Sequence, residues 1–131
     1  MHSLELTVDT KDALDQLSSQ PGVSFVALTD REGFLLDSAG SLAGDAEAVA
    51  ATASCLLETS EGIGRELGHG ALRCTLSEFD DGLVLAMGVS ASSRLVVVIH
   101  DLSALDAVRC SAHDVAHTVR RSLSRQMTVS P

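Results

Sequence analysis

Residues 21–36, PGVSFVALTDREGFLL, contain the pattern that decides the fold. From Val23 to Thr29, apolar side chains occupy both faces of an extended segment, which is typical of a central strand covered from both sides. Asp30 to Gly33 is a polar turn ending in glycine, and Phe34 to Leu36 returns as a second strand that ends near Gly40. We therefore expect an antiparallel strand pair with helices on both of its faces.

The segment before this hairpin predicts a short helix that Thr10 caps and Pro21 ends. Leu4, Leu6 and Val8 alternate with polar residues. An earlier start of the helix and a short extended piece before it both remain open.

After the hairpin, a long helix is predicted from Asp45 to about Leu67, because Gly68 and Gly70 follow as helix-ending glycines. Alternation of apolar and polar residues then predicts a half-exposed strand. Polar turns at 80–82 and 90–93 separate it from two more apolar segments. The three predicted strands are residues 72–77, 83–89 and 95–99.

Ser103 and Asp106 have the spacing of a capping box and predict the start of a last helix. Its apolar residues recur at helical spacing. They are Leu105, Val108, Ala112, Val115, Val119 and Leu123. The predicted order is α-β-β-α-β-β-β-α, an α+β fold with a five-stranded antiparallel sheet and helices on both faces.

The composition indicates one soluble domain of 131 residues, with a core of about 10–124 and a frayed tail at 126–131. The net charge of −9 disfavours binding to nucleic acid, and Arg120, Arg121 and Arg125 are interpreted as a solvated helix end. We expect a cytoplasmic protein, because the chain has no apolar run long enough for a membrane span and no basic, apolar leader. The odd count of three cysteines is consistent with a reducing compartment, and the scarcity of Lys, Ile and Asn suggests a high-GC bacterial source.

The long helix carries two separate stripes of small or apolar residues and one polar ridge. The first stripe is predicted to pack on the sheet: Ala46, Val49, Ala50, Ala53, Leu56, Leu57, Ile63 and Leu67. The second, here called the small-residue stripe, consists of Ala48, Thr52, Cys55, Thr59 and Gly62. The polar ridge consists of Glu47, Ser54, Glu58, Glu61 and Arg65.

Small side chains let two helix axes approach closely, so the small-residue stripe predicts contact with another helix. A twofold copy of the same helix is the economical partner. The alternative is an ordinary alanine-rich exposed face that reflects codon bias and helix propensity. If both stripes are buried, the polar ridge faces outward and could receive a partner protein. The alternative for this ridge is an ordinary solvated face.

Residues 21–36, with their PGV start, aliphatic strand and D-x-x-G-hydrophobic hairpin, resemble the opening of Roadblock/LC7 domains. The alanine-rich helix and the final pair of strands are also similar, so the resemblance covers about residues 10–124. It implies a profilin-like sandwich and a dimer joined through the long helix and the third strand, around Cys74, into one ten-stranded sheet.

The resemblance also implies a function. Members of the family act as dynein light chains, as lysosomal signalling scaffolds and, in bacteria, as partners of small Ras-like GTPases that are often encoded beside a sensor kinase. The chain is therefore predicted to be a non-enzymatic homodimeric regulator of a small Ras-like GTPase, with a possible link to a sensor-kinase complex. A pure assembly scaffold is the alternative.

The sequence gives little support for catalysis or for a cofactor. A P-loop needs a Gly-rich turn that ends in Lys-Ser or Lys-Thr, but the single lysine, Lys11, is followed by Asp12. Residues 88–92, GVSAS, lack the second glycine of a nucleophile elbow and lie between two predicted strands. Arg31 and Arg94 are interpreted as solvated surface arginines and not as arginine fingers.

The remote catalytic alternative is a metal-dependent hydrolase. His113 and His117 are four residues apart on one face of the last helix, and Cys110 lies one turn earlier. Asp114 stands where the metalloprotease motif has glutamate, and these side chains flank the apolar stripe near the surface. We interpret them as surface residues and predict no metal site.

Overall fold

The computed structural model describes the backbone of residues 8–129 and the side chains of residues 8–125. The elements along the chain are α1 (Val8–Ser18), β1 (Val23–Asp30), β2 (Leu35–Gly40), α2 (Ala46–Leu67), β3 (Thr75–Phe79), β4 (Gly82–Ser90), β5 (Ser93–Ile99) and α3 (Leu105–Val129). This is the predicted order of helices and strands. The alternation at Leu4 and Leu6 lies outside the described residues.

The five strands form one antiparallel sheet in the order β2-β1-β5-β4-β3. Hairpins connect β1 to β2, β3 to β4 and β4 to β5, and the pairing of β1 with β5 joins the two hairpin units in the centre. Because β2 and β3 are the two edges, α2 crosses the whole width of the sheet between them. The predicted α+β fold is confirmed.

Helices cover both faces of the sheet, as the apolar pattern of β1 predicts. Val26 and Leu28 pack in the larger core with α1 and α3, whereas Phe25 and Ala27 pack in a smaller core under α2. All six apolar residues predicted for the stripe of α3 are buried or partly buried against the larger core. Between residues 8 and 129, no helix is both long enough and apolar enough to cross a lipid bilayer.

Three predicted element boundaries are wrong. Phe34 lies in the hairpin and β2 begins at Leu35. The third strand begins at Thr75 instead of Leu72, because its ladder with β4 stops at the pair Thr75–Ala86. The first helix begins at Val8, so Thr10 lies inside it and is not its cap.

The predicted capping box is also wrong. Asp101, not Ser103, caps this segment: its carboxylate accepts hydrogen bonds from the backbone nitrogen of Ser103 at 3.0 Å and from the Ser103 hydroxyl at 2.7 Å. A short 3₁₀ turn, Leu102–Ala104, then leads into α3. These two hydrogen bonds, that of the hydroxyl first, lower the pKa of Asp101 below its ordinary value.

Candidate interaction surfaces

The ends of α2 are defined by local chemistry that the sequence displays. The Asp45 carboxylate accepts hydrogen bonds from the backbone nitrogens of Glu47 and Ala48, as an N-cap residue does. At the other end Gly68 adopts the left-handed conformation, and its N–H donates to the carbonyl of Arg65. The predicted boundaries of this helix are confirmed.

Only a narrow part of α2 is buried in the chain. Ala50, Ala53, Ser54 and Leu57 are the buried residues that contact the sheet side. Leu56, Ile63 and Leu67, predicted to pack on the sheet, are instead 39%, 57% and 60% exposed. That part of the prediction is wrong, since helical spacing identifies an apolar stripe but not how far the sheet extends beneath it.

The small-residue stripe faces outward. Ala48, Thr52, Cys55 and Thr59 are exposed, and Gly62 is half-buried. The hydroxyl of Thr52 donates to the carbonyl of Ala48 at 2.8 Å, and that of Thr59 donates to the carbonyl of Cys55 at 2.9 Å. Both hydroxyls are therefore satisfied within the helix, and a neighbouring molecule would meet methyl groups and a thiol.

An apolar groove of about 430 Å³, here called the β3 groove, lies beside this stripe, between α2 and the β3–β4 hairpin. Thr52 and Leu56 line its helix side and Phe79 lines its sheet side. Phe79 is 58% exposed. In the described sheet β3 is hydrogen-bonded to β4 alone, so the groove ends at a free strand edge.

Cys74 lies immediately before β3, where it is half-buried against the larger core. A second depression, of about 360 Å³, extends from this point to the C-terminal end of α2. Ile63, Leu67 and Cys74 are among the residues that line it. The exposed apolar residues of α2 thus continue from the β3 groove to the end of the helix.

The polar ridge is only partly as predicted. Glu47, Glu58 and Arg65 are exposed and Glu61 is half-buried, but Ser54 is 4% exposed. The prediction that Ser54 faces outward is wrong, because the β1–β2 hairpin covers it. Gly33, at φ +95°, brings that hairpin so close to the helix that a Cβ atom on it would lie 2.9 Å from the Cα of Ala51.

Two arginines connect the ridge to the sheet, and the interpretation of Arg94 as a solvated residue is wrong. Only 4% of the Arg94 side chain is exposed; it donates to the carbonyl of Ser54 at 2.8 Å and lies 3.5–3.6 Å from the carboxylates of Glu58 and Glu61. Arg31, whose side chain is 50% exposed, contacts the same two carboxylates at 3.6 and 3.9 Å. No pattern in the sequence marks Arg94 as buried, because its environment is formed by α2.

The residues of the remote hydrolase hypothesis lie on the surface of α3. Cys110, His113 and His117 are all exposed. Across the described part of the chain, no three His, Cys, Asp or Glu side chains are placed so that they could hold a metal ion. The arrangement offers no geometric support for a metal centre.

The sheet with helices on both faces is a sandwich of the profilin-like type. A family model described as "Roadblock/LC7 domain" matches residues 9–99. The chain belongs to the Roadblock/LC7 family. The matched segment runs from α1 to the end of β5, so α3 lies beyond it.

Solved structures with low sequence identity share this fold. MglB of Myxococcus xanthus is 18% identical, with a TM-score of 0.86 and 95% of each chain covered. A Roadblock/LC7 domain from Streptomyces avermitilis is 20% identical, with a TM-score of 0.77 over 86% of this chain and 95% of that one. An MglB described in a tetrameric arrangement is 15% identical, with a TM-score of 0.82 over 93% of this chain and 95% of that one. Comparison with curated proteins gave no match.

Proposed function

We propose that this chain is a single-domain, non-enzymatic module that forms a homodimer through α2 and β3 and binds a small Ras-like GTPase. One observation supports the dimer more than any other. The outward face of α2, whose threonine hydroxyls are hydrogen-bonded within the helix, lies beside an apolar groove and the free edge of β3. Monomeric proteins seldom expose such a continuous apolar surface.

A twofold axis would cover all three features at once. Two copies of β3 paired antiparallel would satisfy the free backbone groups of both edges and extend the sheet to ten strands. The same axis would bring the two α2 helices together, and the small side chains permit a close approach of their axes. Cys74, just before β3, lies where this pairing would begin.

Membership of the Roadblock/LC7 family supports the proposal that the partner is a small GTPase. Roadblock/LC7 proteins act as regulatory and adaptor modules, and the bacterial members that this chain resembles in sequence are partners of small Ras-like GTPases. The solved relative MglB of Myxococcus xanthus has the same fold. In this proposal the exposed carboxylates of the polar ridge, Glu47 and Glu58 among them, face the partner.

The experiment is capture with the tagged chain from lysate of the source organism, carried out in parallel with GDP and with a non-hydrolysable GTP analogue. The proposal predicts that mass spectrometry identifies a small GTPase enriched in one nucleotide state. Purified GTPase and purified chain should then form a complex with the same preference. Capture of other proteins without a GTPase, or a complex that ignores the nucleotide, would favour the scaffold alternative.

A further inference from the structure

An exposed aromatic side chain lies at the base of the turn between β1 and β2. Phe34 is 71% exposed, although the chain contains only three aromatic residues and Phe25 is buried in the core. We propose that Phe34, with Glu32 and Glu47, forms a docking surface for an arginine-bearing segment of a partner protein. This inference deepens the proposed function, because it assigns chemistry to the part of the GTPase that would contact the chain.

The position of Phe34 is fixed by its backbone. Its N–H donates to the carboxylate of Asp30 at 2.9 Å, and its carbonyl accepts from the N–H of Asp30 at 2.9 Å. Gly33 packs directly on Ala51 of α2, which holds the hairpin against the helix. An exposed aromatic ring on a preorganised backbone loses little entropy on binding, and such rings are enriched among the residues that dominate interface energies.

A depression of about 490 Å³ lies beside the ring. Hairpin residues 32–35 form one wall, and the first turns of α2 form the other with Glu47, Ala48 and Ala51. The alanines leave room for an incoming side chain. Ala48 also lines the β3 groove and belongs to the small-residue stripe, so a segment bound here would lie at the edge of the proposed dimer contact.

The negative charge of this surface favours a cationic side chain as its ligand. Among residues 8–125, neither Glu32 nor Glu47 makes an ion pair, and the nearby cation of the hairpin, Arg31, is directed to Glu58 and Glu61. Asp45 adds negative charge at the rim, but its carboxylate already caps α2. The surface therefore presents unneutralised carboxylates next to an aromatic ring.

Arginine matches both features with one side chain. Its planar guanidinium stacks on an aromatic face and pairs with carboxylates through two parallel hydrogen bonds. Lysine would satisfy the charge but not the planar contact. An acidic segment would be repelled by the surface, and a purely apolar one would leave both carboxylates against an apolar surface.

The test uses the full chain labelled with ¹⁵N and the blocked peptide acetyl-Leu-Arg-Ala-Arg-Leu-amide, with the glutamate peptide acetyl-Leu-Glu-Ala-Glu-Leu-amide for comparison. We expect the arginine peptide to shift the amide signals of residues 32–35 and 45–51, and the glutamate peptide to leave them unchanged. Phe34→Ala should weaken binding about tenfold or more, as the loss of an aromatic anchor does. The double variant Glu32→Gln, Glu47→Gln should weaken the salt dependence of binding.

The matched control is Asp12→Asn with Asp15→Asn, two exposed carboxylates of α1 on the other side of the sheet. This control should bind as the wild type does. Equal shifts at every acidic surface, or unchanged binding by Phe34→Ala, would overturn the proposal. A changed oligomeric state of Phe34→Ala in solution would also overturn the proposal, since the surface would then contact another copy of the chain.

The peptide titration does not depend on any GTPase, so the two proposals fail separately. If wild type captures no GTPase but the peptide shifts appear as expected, the proposed function fails and the docking surface stands. If a GTPase is captured equally by wild type and Phe34→Ala, the docking surface fails and the proposed function stands.

Discussion

At the scale of single residues, Arg94 and Arg31 contact the same two glutamates from very different environments. The Arg94 side chain is almost fully buried, whereas half of the Arg31 side chain is exposed. Buried charges depend on their partners, while an exposed ion pair is screened by water and gains little. The two arginines therefore form an internal comparison of a buried and an exposed contact with the same carboxylates.

We expect Arg94→Ala to lower the free energy of unfolding by about 2–3 kcal/mol, because it removes a charge-assisted hydrogen bond to Ser54 and the packing of a buried side chain. Arg31→Ala should change it by less than about 0.5 kcal/mol. Urea denaturation of both variants at one protein concentration measures the difference. Equal losses would show that burial does not distinguish the two contacts.

Gly33 is the second position where one residue determines a contact between elements. Its φ of +95° and the 2.9 Å approach to Ala51 both exclude a side chain. Gly33→Ala should cost about 2 kcal/mol or more, since strain in φ adds to a displaced hairpin. Gly44→Ala is the control, because Gly44 also has a positive φ but nothing within 4 Å; about 1 kcal/mol is expected there. Equal costs in thermal or urea unfolding would mean that the contact with α2 contributes nothing.

Asp101 offers a prediction about pH. The hydrogen bonds from Ser103 hold the pKa of the Asp101 carboxyl below its ordinary value in the folded chain. Stability from this group is thus present above the unfolded-state pKa and is lost as the pH falls through the folded-state pKa. Carboxyl NMR titration should show the pKa rising in Ser103→Ala. An unchanged pKa in that variant would exclude the hydroxyl as a cause.

At the scale of elements, the sequence predicts well those features that depend on residues close together in the chain. Asp45 and Gly68 mark the two ends of α2. The apolar residues of α3 lie on the buried face that their helical spacing predicts. What depends on distant elements could not be predicted. The burial of Arg94 and Ser54 requires α2 and the hairpin to meet, and the start of β3 depends on where its ladder with β4 stops.

The candidate surfaces divide in the same way. The small-residue stripe could be predicted because helical periodicity alone places its members on one face, and the structure leaves that face exposed. The β3 groove and the exposure of Phe34 could not be predicted, because both depend on how α2 packs against the hairpins. Aromatic residues beside polar turns were the available signal for the exposure of Phe34 and Phe79.

The geometry of α2 predicts where its twofold partner crosses it. The small-residue stripe runs from Ala48 to Gly62, and Cys55 lies at its midpoint. In a variant with Cys74→Ser and Cys110→Ser, mild oxidation should therefore produce a Cys55–Cys55 disulfide dimer, since a disulfide requires Cα atoms within about 7 Å. A non-reducing gel measures it, with Cys55→Ser as the control. A dimer in solution that fails to cross-link would place the axis away from Cys55.

At the scale of the whole molecule, the chain has one closed side and one open side. Helices α1 and α3 cover the larger core, and α3 packs on β4 and β5. The other face is covered by a single helix that contributes four buried residues and leaves exposed apolar neighbours on both sides of it. Such a shape fits a protein that is completed by binding another protein, and a second copy of the chain is the first such protein that we propose.

The measurement that tests this central claim most directly is the mass in solution of wild type, Thr52→Arg and Ala107→Arg by light scattering. Wild type should have twice the 13.6 kDa mass of the chain. Thr52→Arg should be a monomer, because it places a charge in a close helix contact, and Ala107→Arg, an exposed position on α3, should remain a dimer. A monomeric wild type, or a Thr52→Arg variant that stays a stable dimer, would contradict the assignment of this face of α2 to the dimer interface.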